Sequence, residues 1–177
     1  MGRMLFARVD DRLIHGQVIT KWAKCVQPNL ILIVDNVLAA DEFMQSIYKM
    51  AAPPGIEVKV VDVETASEEW NKDAFKQEKV FALFKDILTI KKAIEAGLPI
   101  EEVNIGGLRK KPGSTGKQFL GCISLEESDA KMLLDLKETW NVEVYFQMIP
   151  EYERLEFSSI LKKYYSGLQN SPEGEEK

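Results

Sequence analysis

Leu30-Ile-Leu-Ile-Val34 is an unbroken apolar run. A strand with one wet face alternates apolar and polar residues, and this one does not. It predicts a strand buried on both sides, hence a mainly parallel sheet with helices on both faces. Upstream, Val18, Ile19, Trp22 and Val26 share one face of a helix spanning Gly16 to about Cys25, and Met4 to Val9 reads as a first strand. Downstream, Asp41 is placed to cap a helix carrying Phe43, Met44, Ile47 and Met50, which Pro53-Pro54-Gly55 ends.

The alternation continues. Glu57 to Val63 reads as the third strand, and Thr65 and Glu68 have the spacing of a capping box that opens the next helix. Val80 to Phe84 is the fourth strand, followed by a helix from about Leu88 to Gly97, a suitable residue just past a helix end. Val103 to Ile105 is the fifth strand, residues 106–118 a Gly- and Lys-rich loop, and Phe119 to Ile123 the sixth strand. A helix from Glu127 to Trp140 stops near Asn141. Val142 to Met148 is the seventh strand, with Val144, Phe146 and Met148 alternating. Pro150 precedes a last helix with Leu155, Ile160, Leu161 and Tyr164. The pattern predicts a three-layer, doubly wound α/β fold with a mostly parallel sheet of about seven strands. One domain is expected over residues 1–165, with an acidic, disordered tail over 166–177 that ends in SPEGEEK. The fifth-to-sixth connection lacks a helix, which permits one antiparallel strand.

The 177 residues suffice for one sizeable core. A formal charge of −5 argues against a nucleic-acid binder. No apolar run approaches the ~20 residues of a membrane span. The apolar start is broken by Arg8 and two aspartates, so no signal peptide is expected. Cys25 and Cys122 are isolated and read as thiols of a reducing cytoplasm. One histidine and two distant cysteines supply a transition-metal site poorly, so no metal or cofactor is expected.

In open α/β sheets ligands bind beyond the carboxyl ends of the strands. That edge carries Asp10 to His15, Asp35-Asn36, Phe84-Lys85 and Gly106-Gly107. His15 is the only histidine, and it stands just before the first helix. There the helix amides and dipole favour an anion, and Arg12 adds a planar fork for phosphate oxygens. Gly16 leaves the approach open. Asp10 or Asp11 is placed to hold one ring nitrogen and leave the other nucleophilic. The set suits a transient phosphohistidine.

Ala7-Arg-Val-Asp-Asp-Arg-Leu-Ile-His-Gly-Gln-Val-Ile-Thr-Lys-Trp22 resembles the signature of the IIB component of the mannose/fructose/sorbose family of the bacterial phosphotransferase system. Leu32-Ile-Val-Asp35, Ala40-Asp41, Ala52-Pro-Pro-Gly55 and Val103-Asn-Ile-Gly-Gly107 extend the resemblance to about residue 165. The resemblance implies a cytoplasmic protein held at the inner face of the membrane through IIC and IID. It implies a protein-Nπ-phosphohistidine–sugar phosphotransferase component. A phosphoryl group from a IIA phosphohistidine goes to a ring nitrogen of IIB, Nδ1, and then to a sugar. The acceptor maps to His15 and the loop arginine to Arg12, with Asp10, Asp11, Gly16 and Gln17 in the same motif. Family members are often dimers, which makes a homodimer compatible with this chain. Lys85, Gly106, Gly107 and Arg109 are further candidates for phosphate or partner contact. A His-phosphorylated regulator without a transporter, and an anion-binding α/β domain, are the rival readings.

The stretch from Arg109 to Lys117 is unusually basic for such a domain. Its PGSTGK is not a phosphate-binding P-loop. A glycine must stand four residues before the Gly-Lys pair, and Lys111 is there; Lys117 is followed by Gln118, not Ser or Thr. The loop reads as a solvated basic segment or as a docking surface for an acidic IIA or for phosphate.

Overall fold

The computed structural model describes residues 2–170. The central strands are β1 (Arg3–Asp10), β2 (Leu30–Val34), β3 (Glu57–Val61), β4 (Lys79–Phe84) and β5 (Glu102–Gly107). Strands β6 (Lys117–Leu120), β7 (Ile123–Leu125), β8 (Glu143–Phe146) and β9 (Leu155–Glu156) follow. Helical residues 16–26 form the first helix. It contains a π-helical segment, Val18–Trp22, that runs into α1, Ala23–Val26. The others are α2 (Asn36–Ala39), α3 (Glu42–Met50), α4 (Val63–Asn71), α5 (Ile87–Glu95), α6 (Glu127–Thr139) and α7 (Phe157–Tyr164).

The main sheet has seven strands in the order β3-β2-β4-β1-β5-β8-β9, parallel except for β9. Every residue of Leu30–Val34 is buried, as the apolar run requires. Its side chains alternate between two cores. Ile31 and Ile33 join Leu13, Val18, Trp22 and Leu38 beneath the first helix, α2 and α3. Leu32 and Val34 join Ile87, Ile90, Leu133 and Phe157 on the opposite face, beneath the later helices. The first two crossovers therefore cover one face of the sheet and the later ones the other, which opens the carboxyl edge around β1.

Several expectations need correction. The sixth strand is not in the main sheet: β6 and β7 form a separate antiparallel pair, turning at Gly121, whose φ is +27°. The seventh place is taken by β9, whose two residues are too short to show a period. Helix α4 opens at Val63 and is capped by Asp62, which accepts from the Thr65 amide at 2.7 Å. The third strand therefore ends at Val61, and Thr65 is not the cap. Strand β8 ends at Phe146. Residues 166–170 form a 3₁₀ turn with Leu168 against the core, so the domain runs past residue 165. The rest of the expected tail, 171–177, lies outside the described residues.

Candidate active site

Alternate residues of a strand face opposite ways, so Arg8 and Asp10 share the face under the first helix, while Ala7 and Val9 enter the other core. Both charged side chains are fully buried. Arg8 Nη2 donates to Asp10 Oδ2 at 2.8 Å and to the Met148 carbonyl at 3.1 Å. Its Nη1 donates to Asn104 Oδ1 and to the Gln147 carbonyl. Trp22 lies over the guanidinium at 5.2 Å and donates its indole N–H to the same Met148 carbonyl at 3.0 Å. The Gly-Gly pair on β5 is what makes room. A Cβ on Gly106 would overlap the Arg8 guanidinium, and one on Gly107 would lie 2.7 Å from Asp10 Oδ1. These two glycines thus form the floor behind the site. Arg8 was missed in the sequence, although its two-residue spacing from Asp10 on a strand was the available signal.

Asp10 is the hub. The chain turns after it, with the Leu13 amide bonded to the Asp10 carbonyl at 2.9 Å and the Arg12 amide to Oδ1 at 3.2 Å. Leu13 sits at φ +54°, an unfavourable backbone region for leucine, and its buried side chain anchors the turn in the core. The turn brings His15 back, with Nε2 at 2.9 Å from Asp10 Oδ2. A carboxylate only accepts, so Nε2 carries the proton and Nδ1 keeps its lone pair. Arg12 grips the same carboxylate, Nε to Oδ1 at 3.0 Å and Nη2 to Oδ2 at 3.2 Å. Its Nη2 also reaches Gln17 Oε1 at 3.4 Å. Among the described residues this leaves Arg12 Nη1 available to an outside anion.

Burial disfavours the charged form of Asp10. Hydrogen bonds from His15 and Arg12, with the charge of Arg8, outweigh it and hold the carboxyl well below the ordinary carboxylate range. Burial lowers Arg8, against the opposing pull of Asp10. Burial also works against the charged Arg12, but its bonds to Asp10 raise it overall. Two guanidiniums against one carboxylate leave surplus positive charge beside the ring. The Ile19 amide bonds to the His15 carbonyl at 3.0 Å, so residues 16–18 form the first turn, where helix amides face incoming anions. A Cβ on Gly16 would meet nothing within 4 Å, so the approach there is open.

The remaining candidates form a neighbouring group. Asp11 points away from Asp10, as adjacent residues do, and accepts from Arg109 Nε at 2.8 Å and the Arg109 amide at 3.3 Å. Lys85 lines a cleft of about 340 Å³ with Asp11, Arg109, Lys110, Lys111 and Ser124. Asp10, Arg12, His15 and Gln17 are thus assembled directly, and Asp11, Lys85 and Arg109 lie alongside.

The fold and this edge define a doubly wound α/β domain with a carboxylate-oriented histidine in an anion-receptive turn. Residues 4–171 match the family described as PTS system sorbose subfamily IIB component, and the chain belongs to that family. It is 39% identical over 132 residues to the PTS system sorbose-specific EIIB component of Lacticaseibacillus casei, covering 75% of this chain and 79% of that one. It is 31% identical over 157 residues to the mannose-specific EIIAB component of Escherichia coli K12, covering 89% of this chain and 48% of that longer protein. The crystal structure of manxB from Thermoanaerobacter tengcongensis superposes with a TM-score of 0.86 at 48% identity, over 93% of this chain and 98% of that one. The protein is therefore a IIB component of the sorbose/mannose branch, acting in phosphoryl transfer within a sugar phosphotransferase system. In this family IIB components work with IIA and with membrane IIC and IID partners. Among the described residues no helix is long and apolar enough to cross a membrane.

Proposed function

We propose that His15 accepts a phosphoryl group on Nδ1 from a phosphohistidine of a IIA protein. It then passes the group to a sugar carried by membrane IIC and IID, at the cytoplasmic face of the membrane. The observation that supports this most is the Asp10–Nε2 bond, which leaves Nδ1 as the free nucleophile. The Nδ1 lone pair attacks phosphorus in line while the donor's N–P bond breaks and its electron pair returns to the donor imidazole. The His15 ring becomes cationic, and Asp10 balances that charge through the Nε2–H it already holds. Arg12 Nη1 and the first-turn amides meet the equatorial oxygens. In the second step a sugar hydroxyl oxygen attacks phosphorus, its proton passing to water, and the N–P electron pair returns to Nδ1. A cationic ring is a good leaving group, so the same Asp10 contact serves both directions. Positioning and charge suffice; no nucleotide or metal enters the scheme.

The test is intact mass after incubation with phosphoenolpyruvate, enzyme I, the phosphocarrier HPr and phosphorylatable IIA. One acid-labile phosphate is expected on the wild type and none on His15→Gln. Phosphate on the variant, or none on the wild type while IIA is charged, would refute the assignment.

A further inference from the structure

Arg12 spends most of its fork on Asp10, so a dianionic phosphoryl group on His15 is under-supplied with donors. Alongside the turn, the guanidinium of Arg109 is held by Asp11 alone among the described residues. Gly107 packs against the Asp10 carboxylate, and Arg109 follows it by two residues, a rise of ~7 Å along an extended chain. Leu108 between them is fixed: its amide donates to the Cys122 carbonyl at 3.1 Å and its carbonyl accepts from the Ser124 amide at 2.8 Å. Asp11 is fixed too, its amide bonded to the Gly107 carbonyl at 2.9 Å. Among the described residues, what joins the turn to Arg109 is a clasp on Asp11 Oδ2, which accepts from both the Arg109 side chain and its backbone amide. The clasp is half made. Arg109 is 64% exposed, and Asp11 Oδ1 is buried without a hydrogen-bond partner among the described residues.

We propose that Arg109 is a second phosphoryl ligand, parked on Asp11 while His15 is free and transferred to the phosphoryl oxygens once His15 is charged. This rests on the phosphorylation of His15 proposed above. The competition is between a single negative charge in a partly exposed pair and a group of nearly two, with three strong acceptor oxygens. The exchange has a mechanical consequence. Arg109 leads directly into Lys110 and Lys111, and the far end of the loop is held separately where Ser114 and Thr115 bond to Glu126. Moving Arg109 re-aims the lysines between two fixed ends. The charged and uncharged forms then present different basic surfaces, one suited to the donor protein and one to the acceptor.

Hydrogen exchange over residues 106–118, before and after phosphorylation with the charge state followed by intact mass, tests this. In the wild type, charging His15 is expected to speed exchange of the Arg109 amide by about two- to fivefold, the range open to a partly exposed pair. Asp11→Asn should exchange at the faster rate already when uncharged, with no further change on phosphorylation. Arg109→Gln should accept phosphate but lose it to water faster than the wild type. A fully charged wild type with unchanged exchange would overturn the transfer of Arg109 alone. A protein that never charges on His15 would overturn the functional reading and this proposal together.

Discussion

Asp10 carries the largest share of the site's organisation. It balances Arg8 and Arg12, closes the turn and sets the proton on His15. Removing one partner of a buried ion pair strands the other, at a cost of about 3–5 kcal/mol. Asp10→Asn is therefore expected to lose stability of that order in urea unfolding, and to accept phosphate at least roughly tenfold more slowly. The pH dependence follows from the depressed carboxyl. A group held lower in the folded than in the unfolded chain stabilises fully above its unfolded value, ~3.9 for aspartate. That stabilisation fades as pH falls from there toward the folded value. The stability gap between wild type and Asp10→Asn should stay constant from pH 7 to about 4 and narrow below it. A gap that closes already near pH 6 would mean the carboxyl is not held low.

At the level of elements, two glycines separate structural from chemical roles. Gly106 on β5 lies against the Arg8 guanidinium, so Gly106→Ala has to expel Arg8 or split the strand pair. A loss of about 3 kcal/mol or more in equilibrium unfolding is expected. Gly16 opens the first helix into free space. Gly16→Ala should leave stability within ~0.5 kcal/mol, or raise it slightly, yet slow phosphorylation by IIA if the bare backbone is needed for close approach. The contrast also marks what could be read in the chain. Leu30–Val34, the Asp41 cap and the placement of His15 were legible because each is a local pattern. The Arg8 anchor was not, because three of its four acceptor contacts come from residues about a hundred or more positions away, two of them backbone carbonyls just past the end of β8 that no side chain advertises. The β6–β7 pair was misread as one strand because Gly121-Cys122 is a weak turn signal inside an otherwise apolar stretch. The two residues of β9 are too few to show a period; beside them Arg154 pairs with Glu102 and Glu156 and lies over the Tyr145 ring at 3.7 Å, contacts that no local pattern announces.

For the whole molecule, the chain carries −5 overall, yet Lys85, Arg109, Lys110 and Lys111 gather on one rim at the carboxyl edge of the sheet, interleaved with Asp11, Asp86, Glu126 and Asp129. Lys110 and Lys111 on that rim are expected to steer an acidic partner face toward His15. Such steering acts on the encounter rate and is screened over ~10 Å at 0.1 M salt. The double variant Lys110→Gln/Lys111→Gln removes two rim charges that make no ion pair among the described residues, so its unfolding midpoint should match the wild type. Its second-order rate of phosphorylation by IIA should fall roughly three- to tenfold at low salt and converge on the wild-type rate at high salt. The amount of phosphate finally bound should not change. Equal rates at low salt would place IIA docking away from this loop. A lowered final occupancy would mean that the lysines hold the phosphoryl group itself, alongside Arg12.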